Sequence, residues 1–225
     1  MTRSTPTRAI HQDESPLDLE RFRQKLPDWL QRFLPSGGGS QEDHHGKGMF
    51  GFTVFLLSES IIFISFFVTY TALRLTHPNW LPPGVSGPDL STSVIINTVI
   101  LLSSSAVIQF AERALSRGQL NKFRWLWLMT SLMGAYFLVG EGIEWSHLDF
   151  GLTTGLVGAT FYILTGFHGL HVTTGIILQL IMLVRSFIPN NYNHGYFGVR
   201  AATLFWHFVD VIWVIVFSLL YLWRA

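Results

Sequence analysis

The residues best equipped for chemistry come in couples. His168 and His171 stand three residues apart in YILTGFHGLHVTTG, and His207 and Asp210 repeat that spacing in FWHFVDVIWVIVFSLLY. Glu59 is alone in FLLSESIIFISFF, and Glu141 and Glu144 fall one turn apart in YFLVGEGIEW. A spacing of three puts both side chains on one helical face. Imidazoles and carboxylates so placed can ligate a metal, relay protons or hydrogen-bond one helix to the next. A metal shell makes the heaviest demand, because two ligands on one helix need others from elsewhere. Axial haem ligation between His168 and His207 is conceivable, but no second bis-histidine pair stands at matching depth. With no cysteine in the chain, thiolate sites, disulfides and cysteine nucleophiles are excluded. Phosphate loops, nucleophile elbows and dinucleotide fingerprints are also missing. No residue is therefore assigned as catalytic or as a metal ligand. Interhelical hydrogen bonding, and a proton relay through Glu59, His168 and Asp210, are the two readings left open.

These groups lie in segments that have to cross a membrane. Only 13% of the 225 residues are charged and 49% are hydrophobic, against roughly a quarter charged in soluble domains. A net charge of +1 gives no reason to expect nucleic acid. Five segments, about 48–73, 94–115, 123–145, 152–184 and 199–223, are apolar over the roughly 20 residues that span ~30 Å of hydrocarbon. An open sheet would strand backbone groups in lipid, and a barrel would show ~10-residue alternating strands. The expected fold class is all-α, a polytopic bundle of five transmembrane helices. At 1.5 Å per residue Glu59 lies ~14 Å deep, and His207 and Asp210 ~10–15 Å deep. His168 falls near the middle of the fourth segment, with His171 one turn nearer the cytoplasm. Gly166, Gly169 and Gly175 suggest that this face lies close to another helix. Desolvation disfavours a bare carboxylate at the depth of Glu59, so it is neutral or held by a partner on another helix. Asp210 has His207, or a histidine of the fourth segment, as candidate partner. Glu141 and Glu144 are expected nearer the outer rim, beside the interfacial aromatic Trp145, either solvated there or functional. Glu112, next to Arg113, reads as an interfacial anchor, and His44 and His45 as solvated.

Basic residues set the orientation. Thirteen of the fifteen Lys and Arg fall in the amino-terminal tail, the second loop and the fourth loop; Arg74 and Arg224 alone lie opposite. The excess marks the cytoplasmic side, so the amino terminus is expected inside and the carboxyl terminus outside. Residues 1–46 form a cytoplasmic tail and 47–225 the membrane domain. The stretch MTRSTPTRAIHQDESPLDLE has no apolar core of signal-peptide type. Within the tail, Leu19, Phe22, Leu26, Leu30 and Phe33 recur at helical spacing among basic residues. Residues 17–34 could thus form an amphipathic helix on anionic lipid, although Pro27 argues against an uninterrupted one; an unstructured tail is the alternative. PSGGGS at 35–40 is a flexible joint. Arg185, at the cytoplasmic end of the fourth segment, is a candidate for a lipid phosphate or for plain anchoring.

From Phe50 onward the chain resembles subunit III of the haem-copper oxidases. FLLSESIIFISFF is similar to that family's stretch with a buried glutamate, at Glu59 here. YILTGFHGLHVTTG is close to its most recognisable run, with His168 and His171. FWHFVDVIWVIVFSLLY is close to its closing motif, with His207, Asp210 and Trp213, and YFLVGEGIEW resembles its acid-aromatic pattern at Glu144 and Trp145. The resemblance covers about three quarters of the chain and follows the shorter, five-helix form. Longer members have two further helices, and phospholipid fills the cleft beside them. The family often has glutamine where this chain has Glu141.

The resemblance implies a non-redox subunit of a proton-pumping cytochrome c oxidase, in aerobic respiratory electron transport. Haem and copper would reside in partner subunits, with subunit I packed directly on this chain, subunit II in the same complex, and phospholipid bound at sites for which Arg185, Trp145 and Trp213 are candidates. The buried polar cluster would comprise Glu59, His168, His171, His207 and Asp210, with Glu141 and Glu144 as a secondary acidic pair. The home would be a prokaryotic cell membrane or another energy-transducing membrane. An accessory chain of a quinol oxidase or nitric oxide reductase is one alternative. A stand-alone proton channel or transporter is another, for which inverted repeats would be expected and none is visible.

Overall fold

The computed structural model describes residues 41–77, 80–188, 192 and 195–223, with side chains from Gly48 onward. The proposed amphipathic segment and joint lie outside the described residues. The chain divides into two units, Met1–Gly51 and Phe52–Ala225; of the first, the opening turns of helix α1 are described. All regular structure among the described residues is helical: α1 (Gln41–Thr76), α2 (Thr92–Ser116), α3 (Leu120–His147), α4 (Gly155–Arg185) and α5 (Phe197–Phe217), which continues as one π-helical turn, Ser218–Leu222. Among the described residues, five helices are long and apolar enough to cross a membrane. The 31 residues of α4 measure ~46 Å along the axis at 1.5 Å per residue, well beyond the ~30 Å of hydrocarbon.

Local chemistry sets the ends. Ser91 caps α2, its hydroxyl accepting from the Val94 N–H at 3.3 Å. The other end of α2 turns at Gly118, whose φ of 72° suits a residue without Cβ. The amides of Arg117, Gly118 and Gln119 return to the carbonyls of Ala114 and Leu115. The chain then re-enters a helix at Leu120, so α2 and α3 are antiparallel neighbours.

Packing centres on α5, half of whose apolar window is buried, against 11% for α1. Its Trp206 is fully buried and donates its indole N–H to Ser104 of α2 at 2.8 Å. The ring occupies space vacated by two glycines. A Cβ on Gly134 of α3 would stand 2.5 Å from the indole, and one on Gly175 of α4 would stand 2.7 Å from it. One side chain thus joins four helices. Between α2 and α3, Gly140 admits the buried amide of Asn97, which donates to the Phe137 carbonyl at 3.2 Å. Gly166 and Gly169, expected to mark a close approach, have only ordinary contacts with Trp145 and Leu138. What the small residues accommodate is mainly side chains, an indole and an amide.

The peripheral helix α1 is fastened by few contacts. Phe63 packs edge-on against Phe167 and His171 of α4 and Phe208 of α5. Near the other end, Tyr70 donates to the Leu219 carbonyl at 3.1 Å and meets Trp80 edge-on. That carbonyl lies in the π-helical turn closing α5.

Candidate functional site

The five residues expected to form one buried polar cluster are distributed over three settings. In the first, His171 Nε2 lies 3.2 Å from Glu59 Oε2, joining α4 to α1. The other ring nitrogen, Nδ1, is 2.9 Å from the Phe167 carbonyl. A carbonyl only accepts, so Nδ1 carries a proton. That leaves two forms of the pair: a neutral imidazole accepting from a carboxylic acid, or an imidazolium donating to a carboxylate. Both have the same net charge and share a single proton. The side chains are 11% and 19% exposed, so the pair is shielded without being sealed.

His168, one turn away, is in a different environment. It is 1% exposed, and neither ring nitrogen has a hydrogen-bond partner among the described residues. The ring stacks on Trp213 with centroids 4.8 Å apart and meets Phe137 edge-on at 5.8 Å. Trp213 gives its N–H to Thr98 of α2 at 3.1 Å. Trp213, one of the lipid-site candidates, is 1% exposed and packs in the bundle interior. His168 and His171 share a helix face but not a partner, so the expectation that both hydrogen-bond across helices applies to His171 alone.

In the third setting Asp210 reaches neither His207 nor a histidine of α4 directly. Ser105 of α2 stands between, hydrogen-bonded to Asp210 Oδ2 and 2.9 Å from His207 Nδ1. A carboxylate accepts the single hydroxyl proton, and the hydroxyl oxygen then accepts from the imidazole. His207 Nε2 lies 3.3 Å from the side-chain amide of Gln109. Farther along the same two helices, Glu112 is 3.7 Å from Arg200, so the expected interfacial anchor is also an interhelical ion pair. Ser105, Gln109 and Glu112 fall at i, i+4 and i+7 on α2, a periodicity that could have revealed them in the sequence.

The acidic pair divides too. Glu141 is 5% exposed and accepts from the Trp145 indole at 3.2 Å. It is therefore not at a solvated rim. Position i+4 places Trp145 over it, and the helix turns that face into the bundle. Glu144 accepts from the Tyr221 hydroxyl at 2.7 Å and borders a cavity of about 500 Å³ with Asn97, Tyr136 and His147. Trp145, a lipid-contact candidate, is committed to Glu141 and to an edge-on contact with Tyr162. Two further buried polar groups escaped sequence reasoning. Gln179 of α4 accepts from Ser131 of α3 at 2.8 Å, and its backbone carbonyl accepts from Trp127 at 2.7 Å.

At the end of α4, Arg124 donates to the Ser186 carbonyl and hydroxyl and stacks on Phe187. Beside it, Tyr192 donates to the Met182 carbonyl at 2.6 Å. Burial pushes that phenol above its ordinary pKa, against the opposing pull of Arg185 and Arg124. Among the described residues, no group of three or more His, Asp or Glu converges where a metal could be held. His168 and His207, the pair an axial haem would need, face Trp213 with Phe137 and Ser105 with Gln109 respectively. These surroundings do not fit a haem.

The family model described as "Cytochrome c oxidase subunit III" matches residues 36–225. A curated relative from Synechocystis sp., named "Cytochrome c oxidase subunit 3", is 43% identical over 82% of this chain and 80% of its own length. One of the same name from Thermostichus vulcanus is also 43% identical, over 80% of this chain and 89% of its own length. The Mus musculus protein of that name is 33% identical over 83% of this chain and 76% of its own length.

Proposed function

The chain belongs to the cytochrome c oxidase subunit III family, and we propose that it serves its oxidase as a non-redox scaffold whose buried acids and imidazoles tie its helices together. It is a subunit III of a terminal oxidase, part of an oxidoreductase complex, and an integral membrane protein with other subunits as partners. The finer reading is ours. Haem and copper belong to partner subunits, with subunit I packed on this chain and subunit II in the same assembly. The complex takes electrons from cytochrome c, reduces dioxygen to water and pumps protons, while this chain supports assembly, lipid binding and delivery of protons and dioxygen. Phospholipid binds at its surface, with Arg185 as the phosphate-facing residue. The amino terminus is cytoplasmic, and the home is a prokaryotic cell membrane. Residues 1–46 act as a tail and 47–225 as the membrane domain.

The observation that carries this reading is the pairing of Glu59 with His171 across α1 and α4 at 3.2 Å. A titratable group at mid-depth is costly, and here one shared proton balances two such groups between helices. The bridge from Asp210 through Ser105 to His207 likewise links α5 to α2 by hydrogen bonds. Purifying the complex through a tag on this chain tests the reading. Recovery of a haem-bearing catalytic subunit with turnover on reduced cytochrome c supports it. Turnover on quinol alone would move the chain to a quinol oxidase. Proton flux through the purified chain by itself in liposomes would favour a channel.

A further inference from the structure

Basic residues at the end of the bundle where α2 turns into α3 fall into two groups. Arg200 pairs with Glu112 at 3.7 Å, and Arg124 donates to Ser186 and stacks on Phe187. Arg113, Arg117 and Lys122 differ. Among the described residues, none of the three makes a side-chain hydrogen bond or an ion pair. Glu112 follows Ala111 and precedes Arg113 in sequence, but its carboxylate is turned to Arg200. The carboxyl end of α2 favours cations through its dipole. That accounts for basic residues being here, but not for where their side chains meet.

The three converge on one cavity. Arg113 and Arg117 are four residues apart on α2, hence on one face. Gly118, with φ of 72°, reverses the chain, and Lys122 follows in the first turn of α3. All three line a cavity of about 350 Å³ together with Phe110, Gln119 and Leu126. No carboxylate is among its described lining residues. Gln119 opens α3 without a side-chain cap, and no acid lies in the first turn. The positive end of that helix therefore adds to the three cations instead of offsetting them. Phe110 is 55% exposed, and the Arg113 guanidinium lies 5.9 Å from its ring centroid. The cavity thus has charged walls and an apolar side. Three cations arriving from two helices suit a tetrahedral anion, whose oxygens point in several directions. A guanidinium grips phosphate oxygens two at a time, and an ammonium adds a point charge. A carboxylate offers only two oxygens in one plane.

We propose that Arg113, Arg117 and Lys122 form a binding site for a phosphate group at the turn between α2 and α3. The phosphate comes from an anionic phospholipid, with its chains along Phe110 and Leu126, or from a phosphate in solution; the chemistry of recognition is the same. The site includes none of Arg185, Trp145 and Trp213, and it does not rest on the oxidase reading.

Lys122 reports occupancy, because a bound phosphate shields its amine from acylation. The full-length chain, with the partners that accompany it, is placed in phosphatidylcholine nanodiscs. Parallel samples add phosphatidylglycerol to the bilayer or inorganic phosphate to the solution. Acylation of Lys122 by an amine-reactive ester is followed by mass spectrometry, with Lys25 of the tail as internal reference. Selective protection by phosphatidylglycerol identifies a lipid headgroup, and protection by inorganic phosphate a soluble ligand; either supports the site. Arg113→Gln should weaken the protecting ligand about fivefold, the share of one cation at a membrane surface. Arg113→Gln combined with Arg117→Gln, both at exposed positions, should abolish protection. Arg32→Gln, which removes the same charge from the tail, should leave it unchanged. Absence of protection in both samples would overturn the proposal. So would protection that persists in the double variant, since a basic surface without a built site behaves that way. Neither result alters the family to which the chain belongs.

Discussion

Replacing Glu59 by Gln separates a structural carboxyl from a proton carrier. The wild-type pair spans 3.2 Å with one shared proton, and His171 Nδ1 is already committed to the Phe167 carbonyl. A glutamine amide can donate to a neutral Nε2 from the same position, so Glu59→Gln exchanges a bond that can be charge-assisted for a neutral one. Bonds to charged groups contribute ~1.5–3 kcal/mol against ~0.5–1.5 for neutral ones. Interhelical bonds in membranes average only ~0.6 kcal/mol. The expected cost of Glu59→Gln is therefore below about 1 kcal/mol. Glu59→Leu is worse, because it leaves Nε2 unpartnered against α1 and costs ~1–3 kcal/mol. Since α1 is held by few contacts, that loss should appear as faster hydrogen exchange in α1 and earlier thermal release, without collapse of α2–α5. Oxygen-electrode turnover of the assembled complex is expected to stay near wild type for Glu59→Gln. Loss of nearly all turnover in a fully assembled Glu59→Gln complex would refute the structural role. Equal thermal stability of the Gln and Leu variants would refute the pairing.

Two paired comparisons follow from the packing. His168→Phe should be neutral or stabilising in thermal denaturation, because it removes two unpartnered ring nitrogens from an aromatic box, whereas His171→Phe strips Glu59 of its partner and should destabilise. Gly175→Ala drives a methyl to 2.7 Å from Trp206 and should cost ~1–3 kcal/mol through overpacking, read as reduced yield of folded complex, while Gly142→Ala meets nothing within 4 Å and should be tolerated.

The five spans were legible because a run of some twenty apolar residues has few other uses, and mid-depth acids and imidazoles stand out against it. Which residues would meet was much less so. A membrane helix is apolar on nearly every side, so hydropathy says little about its rotation about its own axis, and rotation decides partners. That is why residue types and spacing point Asp210 at a histidine where Ser105 intervenes, and leave open whether Glu141 is solvated or buried. The same limit hid Tyr221 as the partner of Glu144 and Gln179 as a buried acceptor. Gly175 reads as a packing glycine by its size, but the indole that fills the space comes from α5, 31 residues later in the chain. Gly134 and Gly140, which do equivalent work on α3, carried no neighbouring histidines to draw attention to them.

The proposed role is that these buried groups hold helices together while electron transfer takes place in other polypeptides. Its most direct test is to dissociate this chain from the purified oxidase and measure haem absorbance and copper in both fractions. All haem and copper should remain with the other subunits. Haem or copper in stoichiometric amount on the separated chain would contradict it.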